Sequence, residues 1–161
     1  MRDELSKMWG EGILGEDGKV DRRAVARLVF GTDEAALRAR HALEQVVHPR
    51  IKSRILKQVG EIQANETNRP EAILLDAALL LETGWQDLCD AVVFVDVPAS
   101  IRQVRVAGRN WVPEEWEKRE ASQWPIEKKR RAAGFSVTNI DGQTAVAELN
   151  EIINQVSRQT F

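Results

Sequence analysis

The hydrophobic pattern changes character at Pro70, and that change constrains the fold more than anything else in the chain. Before it, apolar residues recur at helical spacing. After it, short β-branched runs alternate with helical segments. Ala91-Val-Val-Phe-Val-Asp-Val97 is the clearest strand. Ala72-Ile-Leu-Leu-Asp76 is a second short apolar run bounded by turn residues, as expected of a strand buried on both faces. Phe135-Ser-Val-Thr138 reads as a third. Pro98 opens a helix through Gly108, Trp111–Ala133 is amphipathic and dense in charge, and Ala145–Val156 closes the chain with Ala145, Leu149, Ile152, Ile153 and Val156 on one face. Strand and helix alternating in this order imply parallel pairing with right-handed crossovers, which is the α/β class.

The first 70 residues predict helices. A short charged helix, Met1–Trp9, runs into the loop Gly10–Gly18. Asp21 can cap a helix that buries Ala24, Val25, Leu28 and Val29. Thr32 or Asp33 can cap the next, with Ala36, Leu37, Leu43, Val46 and Val47 as its stripe. His48-Pro49 reads as a corner, with Pro49 in the first turn of a third helix carrying Ile51, Ile55, Val59 and Ile62. No internal repeat or low-complexity segment is evident.

Composition narrows the class. The 161 residues are 43% hydrophobic, which argues against disorder and is enough for one domain with a real core. Net charge is −2, against binding nucleic acid through bulk charge. The run Ala72–Leu81 is interrupted by Asp76 and is too short to span a bilayer. The start is too charged for a signal peptide, and the single Cys89 cannot form an internal disulfide, so a cytoplasmic location with no membrane partner is expected. Charge is unevenly placed. Arg102 to Arg131 holds nine Lys/Arg and five Glu, while the rest holds 14 Lys/Arg and 20 Asp/Glu. Trp111, Trp116 and Trp124 lie in that basic segment.

Each candidate for chemistry has a plainer alternative. Cys89, with apolar Leu88 before it and Asp90 after it, reads as a buried structural cysteine without a cation to activate it. His41 and His48 are seven apart and belong to no metal-type cluster. His48 makes either a corner hydrogen bond or a contact to an anionic ligand. Asp76 and Asp96 fall at or near the carboxyl ends of predicted strands, where open α/β sheets bind ligands. Glu82 either orients a hydroxyl or metal-bound water, or caps a turn. Arg105 and Arg109 share a helix face, and Lys128, Lys129, Arg130 and Arg131 cluster twenty residues on. Such a segment can deliver cations to phosphates. It can equally be a solvated hairpin, since Glu114, Glu115, Glu117 and Glu120 are interleaved. Single-stranded nucleic acid stacked on the tryptophans is a third reading, which the glutamates disfavour by repulsion.

In order along the chain, these segments resemble the dephospho-CoA kinase family. The residues are Asp21-Arg-Arg-Ala-Val-Ala-Arg-Leu-Val-Phe30; Leu43-Glu-Gln-Val-Val-His-Pro-Arg-Ile51; Leu75-Asp-Ala-Ala-Leu-Leu-Leu-Glu82; Val93-Phe-Val-Asp-Val97; Arg105 with Arg109; Gln123-Trp-Pro-Ile-Glu-Lys-Lys129; and Val137-Thr-Asn139 followed by Gly142. Ala78, Gly134 and Arg102 depart from the family's usual Pro, Asp and Gln.

The resemblance implies an α/β, P-loop NTPase-like fold of three layers with a parallel sheet, incomplete at its N-terminal edge. It implies one kinase-like domain: a helical acceptor-binding half over about 1–70, a core over 71–109 and 133–161, and a lid over about 110–132. It implies phosphorylation of the ribose 3′-hydroxyl of dephospho-CoA by ATP with Mg²⁺, the last step of CoA synthesis, so both partners are small molecules. Arg23, His48 and Glu82 would face the acceptor, Arg105, Arg109 and Lys129 the phosphates, and Asn139 the nucleotide. The family's Gly-x-x-x-x-Gly-Lys-Ser/Thr loop and its catalytic aspartate have no counterpart among these residues, so the general base and the P-loop lysine are unassigned. Two expectations follow. Either the chain is the C-terminal portion of a complete kinase, or it is a non-catalytic module that binds a CoA-type ligand or a partner. A sheet edge left open would favour self-association.

Overall fold

The computed structural model describes residues 1–31, 33–108 and 113–159. The chain divides into two compact units, Met1–Glu66 and Thr67–Phe161.

The first unit is helical. Helix α1 (Arg2–Trp9) ends at Gly10, whose φ of 76° is open to glycine and strained for other residues. Leu14 and Val20 then pair in an isolated antiparallel bridge around a tight turn. Helix α2 (Arg22–Val29) starts at Asp21, whose carboxylate accepts from Arg23 N at 2.8 Å. Helix α3 (Glu34–Gln63) starts at Asp33, which accepts from Ala36 N at 2.8 Å, so Asp33 is a cap; Thr32 lies outside the described residues. Leu5, Ile13, Val25 and Val29 form the core, with Leu43 and Val46 of α3 packed against it. Gly31 fits because a methyl there would come within 2.7 Å of the Ala36 Cβ.

Three expectations for this unit need correction. Leu28 and Leu37, predicted to be buried, are 40% and 52% exposed, because α2 and α3 turn only a narrow face to the small core. His48-Pro49 is no corner: α3 runs 30 residues straight through it. Proline removes one backbone donor, about 3 kcal/mol in a helix interior. Packing of Leu43 and Val46 on one side and the tie from Arg50 to α1 on the other outweigh that local preference. Arg50 donates to the Val46 carbonyl and to Glu4 Oε2 at 2.6 Å. Third, of the stripe beyond Pro49, Ile55 and Val59 are half-buried, while Ile51 and Ile62 are exposed.

The second unit carries the sheet. Strand β1 (Val93–Asp96) pairs in parallel with β2 (Phe135–Thr138), Val93 opposite Phe135 and Asp96 opposite Thr138. Between them come α4 (Ala99–Ala107), α5 (Pro113–Ala121) and α6 (Ile126–Ala132). Within the charged stretch read over Trp111–Ala133, for which a hairpin is one reading, the described residues hold two helices, and Pro125 stands as the N-cap of α6. Helix α7 (Gly142–Gln159) packs on β2, and its Glu148 carboxylate accepts from Thr138 N at 2.6 Å. Val137 is the buried residue of β2, 4% exposed.

The parallel pairing is as expected. The strand at 72–76 is not present: these residues join no ladder among the described residues, and Leu74 is 66% exposed. A strand is defined by its partner as much as by its own residues. After it, a turn over 78–84 leads through left-handed Gly84 (φ 70°) to a short 3-10 segment, Trp85–Leu88, with Trp85 buried.

Candidate functional site

Short helix α6 is where chemistry gathers. Its neighbours Lys129 and Arg130 are one residue apart, so they leave the helix about 100° from each other. Each meets a different carboxylate of the second unit. Lys129 Nζ lies 2.8 Å from Glu82 Oε1 and donates to the Ala78 carbonyl and Gln123 Oε1, both at 2.8 Å. Arg130 grips Asp96, at the carboxyl end of β1, with both terminal nitrogens. Its guanidinium also lies 4.8 Å from the Phe94 ring centroid.

Electrostatics separate the two pairs. The Glu82 and Lys129 side chains are only 15% and 17% exposed. Burial pushes the Glu82 carboxyl up, but the bonds from Lys129 and from Trp124 N, the latter at 2.9 Å, together outweigh it and hold the group below its ordinary value. Asp96 is more open, and the Arg130 hydrogen bonds hold it below the usual range. Lys128, the residue before this pair, points elsewhere: its ammonium lies 3.3 Å from the Trp124 ring centroid.

The expected site residues divide between the units. Arg23 is exposed on α2 and His48 is half-buried in α3, both in the first unit. Glu82, Arg105, Lys129 and Asn139 belong to the second, and Arg109 lies outside the described residues. Within the second unit, Glu82 and Lys129 are brought together. Arg105 donates to the Asn139 and Ile140 carbonyls at 3.0 and 3.1 Å, so it ties α4 to the loop after β2. Asn139 N in turn donates to the Asp96 carbonyl at 2.9 Å. Arg102 pairs with Glu120 at 3.0 Å.

The plainer readings also resolve. Cys89 is half-buried, its thiol directed at the Trp85 carbonyl, and burial together with Asp90 pushes its pKa up, which opposes nucleophilic use. Asp76 and His41 are exposed. Sequence reasoning placed Gln123 in a motif and Arg130 in a cationic cluster but gave neither a partner. The spacing of Gln123 and Lys129 across a proline was the available signal for their contact. Nothing local signals the partner of Arg130, because Asp96 lies 34 residues away.

Among the described residues, no group of three or more His, Cys, Asp and Glu side chains could hold a metal ion. Asp96, the carboxylate at the end of β1, is already held by Arg130. No described helix is long and apolar enough to cross a membrane.

Comparison with known proteins extends this picture. The family model for dephospho-CoA kinase matches residues 1–145. A dephospho-CoA kinase of Rhodopirellula baltica is 37% identical over 136 residues, covering 84% of this chain and 62% of the relative. One of Symbiobacterium thermophilum is 36% identical, covering 85% and 55%. The chain thus spans less than two thirds of the length of these two relatives. The crystal structure of TT1252 from Thermus thermophilus superposes with a TM-score of 0.74 at 31% identity, covering 95% of this chain and 74% of that one. The expected α/β fold with a parallel sheet is borne out by that likeness.

Proposed function

This chain belongs to the dephospho-CoA kinase family, and we propose on that footing that it serves phosphoryl transfer from ATP to the 3′-hydroxyl of dephospho-CoA. The observation that carries the reading is the family match over residues 1–145, which takes in the helical unit and the cationic helix α6 alike. Phosphoryl transfer asks a protein chiefly to position two substrates and to neutralise charge spread over phosphate oxygens. Arg23 and His48 serve the acceptor. Arg105, Arg109 and Lys129 serve the phosphates, and Asn139 the nucleotide side. The bond between Glu82 and Lys129 supports placing Glu82 on the phosphate side rather than with the acceptor. The break between compact units at Glu66 and Thr67 supports an acceptor-binding half over about 1–70. Residues 71–109 and 133–161 then form the core and about 110–132 the lid. ATP enters as a substrate, and Mg²⁺ with it.

Calorimetric titration of dephospho-CoA into the 161-residue chain tests the acceptor half. Saturable heat and a rise in melting temperature are expected, both lost in Arg23→Ala. Neither signal in the unsubstituted chain overturns the reading. The same preparation with ATP and Mg²⁺ distinguishes catalysis from ligand binding alone: CoA formation shows the first, and binding without it shows the non-catalytic alternative.

A further inference from the structure

Lysine has three N–H donors, and those of Lys129 are all spent inside the protein, on Glu82, Ala78 and Gln123. A carboxylate oxygen and a phosphate oxygen make the same charge-assisted contact with an ammonium group. A lysine already neutralised at 2.8 Å by a largely buried carboxylate exerts little net pull on a polyanion. Glu82 therefore sits where a phosphate oxygen would have to sit.

We propose that Glu82 is a positioning residue that acts through Lys129, filling the lysine as an internal anion until a polyphosphate displaces it. The proposal rests on the reading of Lys129 as a lid cation. Two details favour exchange over a permanent strut. Glu82 Oε1 receives both Lys129 and Trp124 N, while Oε2 is buried with no partner among the described residues, so one oxygen of the carboxylate is left without a donor as the pair stands. The Trp124 N–H also remains to hold Glu82 once the lysine has moved, so release does not leave that carboxylate without a donor. The charge on Glu82 then sets how readily the lid takes phosphate.

The test uses inorganic tripolyphosphate, titrated calorimetrically at low ionic strength into the 161-residue chain and three variants. Glu82→Gln keeps an acceptor for Trp124 N and removes the charge. It is expected to bind tripolyphosphate about tenfold tighter than the parent, the lower end of what a hydrogen bond to a charged group is worth. Glu127→Gln makes the same charge change on the helix that carries Lys129, at a 67% exposed side chain, and is expected to bind as the parent does. Lys129→Met is expected to lose the gain when combined with Glu82→Gln. Equal affinity in Glu82→Gln and parent, or an equal rise in Glu127→Gln, overturns the proposal while leaving Lys129 as a phosphate ligand. No binding by any of these chains overturns both. Should Glu82→Gln fail to fold, the parent reports alone. Its Trp124 backbone amide resonance should shift with tripolyphosphate and not with sodium chloride of matched ionic strength, and a resonance that stays in place overturns the proposal.

Discussion

Replacing Lys129 by methionine removes the ammonium while keeping an unbranched side chain of similar length. In the variant, Glu82 keeps one donor, Trp124 N, and its side chain remains only 15% exposed. Breaking a buried pair by deleting one partner costs about 3–5 kcal/mol. The residual exposure of both groups places this pair near the lower end, so about 2–3 kcal/mol is expected near neutral pH. For a chain of this size each kcal/mol moves the melting temperature by about 2–4 °C, so a fall of about 4–12 °C is expected.

The effect has a definite pH dependence. In the parent, Glu82 is held below its ordinary value once Lys129 and Trp124 outweigh burial, so its contribution is present above the unfolded carboxyl pKa and fades as pH falls through the lower folded value. In Lys129→Met the largest of the lowering contacts is gone, and Glu82 takes up a proton more readily than in the parent. The stability gap between parent and variant must therefore narrow as pH falls through the ordinary carboxylate range. Urea unfolding followed by tryptophan emission, repeated from neutral pH downwards, measures that gap. A difference below about 0.5 kcal/mol at neutral pH, the scale of an inert surface substitution, would refute the reasoning. So would a gap that widens as pH falls.

Two further outcomes are expected. Pro49→Ala should stabilise the first unit by about 1–3 kcal/mol, because α3 already runs through this position and alanine restores the missing N–H; destabilisation in thermal melts would show that the proline ring itself is needed. Cys89 should alkylate with iodoacetamide more slowly than free cysteine near neutral pH and speed up only above the ordinary thiol range, since burial and Asp90 oppose the thiolate; a rate at or above that of free cysteine contradicts the geometry.

Local signals carried far in some places and failed in others. Asp21 and Asp33 were readable as caps because a cap is a contact between residues two or three apart. Phe135–Thr138 was readable as a strand because its apolar and polar residues alternate without a break, and it found a partner in β1. Ala72–Asp76 has the same apolar character and is no strand, since the property depends on a partner that the residues themselves do not specify. Pro49 misled in the opposite direction: a strong local preference against helix yielded to packing before it and the Arg50 tie after it.

The order of amino acids by itself determined the α/β alternation, the helical first unit, the basic segment before the last strand and the residues that carry the family likeness. Each depends on composition or on spacings of a few residues, which the backbone periods of 3.6 and 2 translate directly into faces. Only the tertiary structure decided what the cations do. Lys129 meets Ala78 and Glu82 across more than 40 residues, Arg130 meets Asp96 across 34, and Arg105 reaches the Asn139 carbonyl across 34. The alternatives for that segment, a solvated hairpin or a set of phosphate ligands, place the same residues at the same spacings. They differ only in which acceptors lie within 3 Å of each donor, and that distance exists only once the chain has folded.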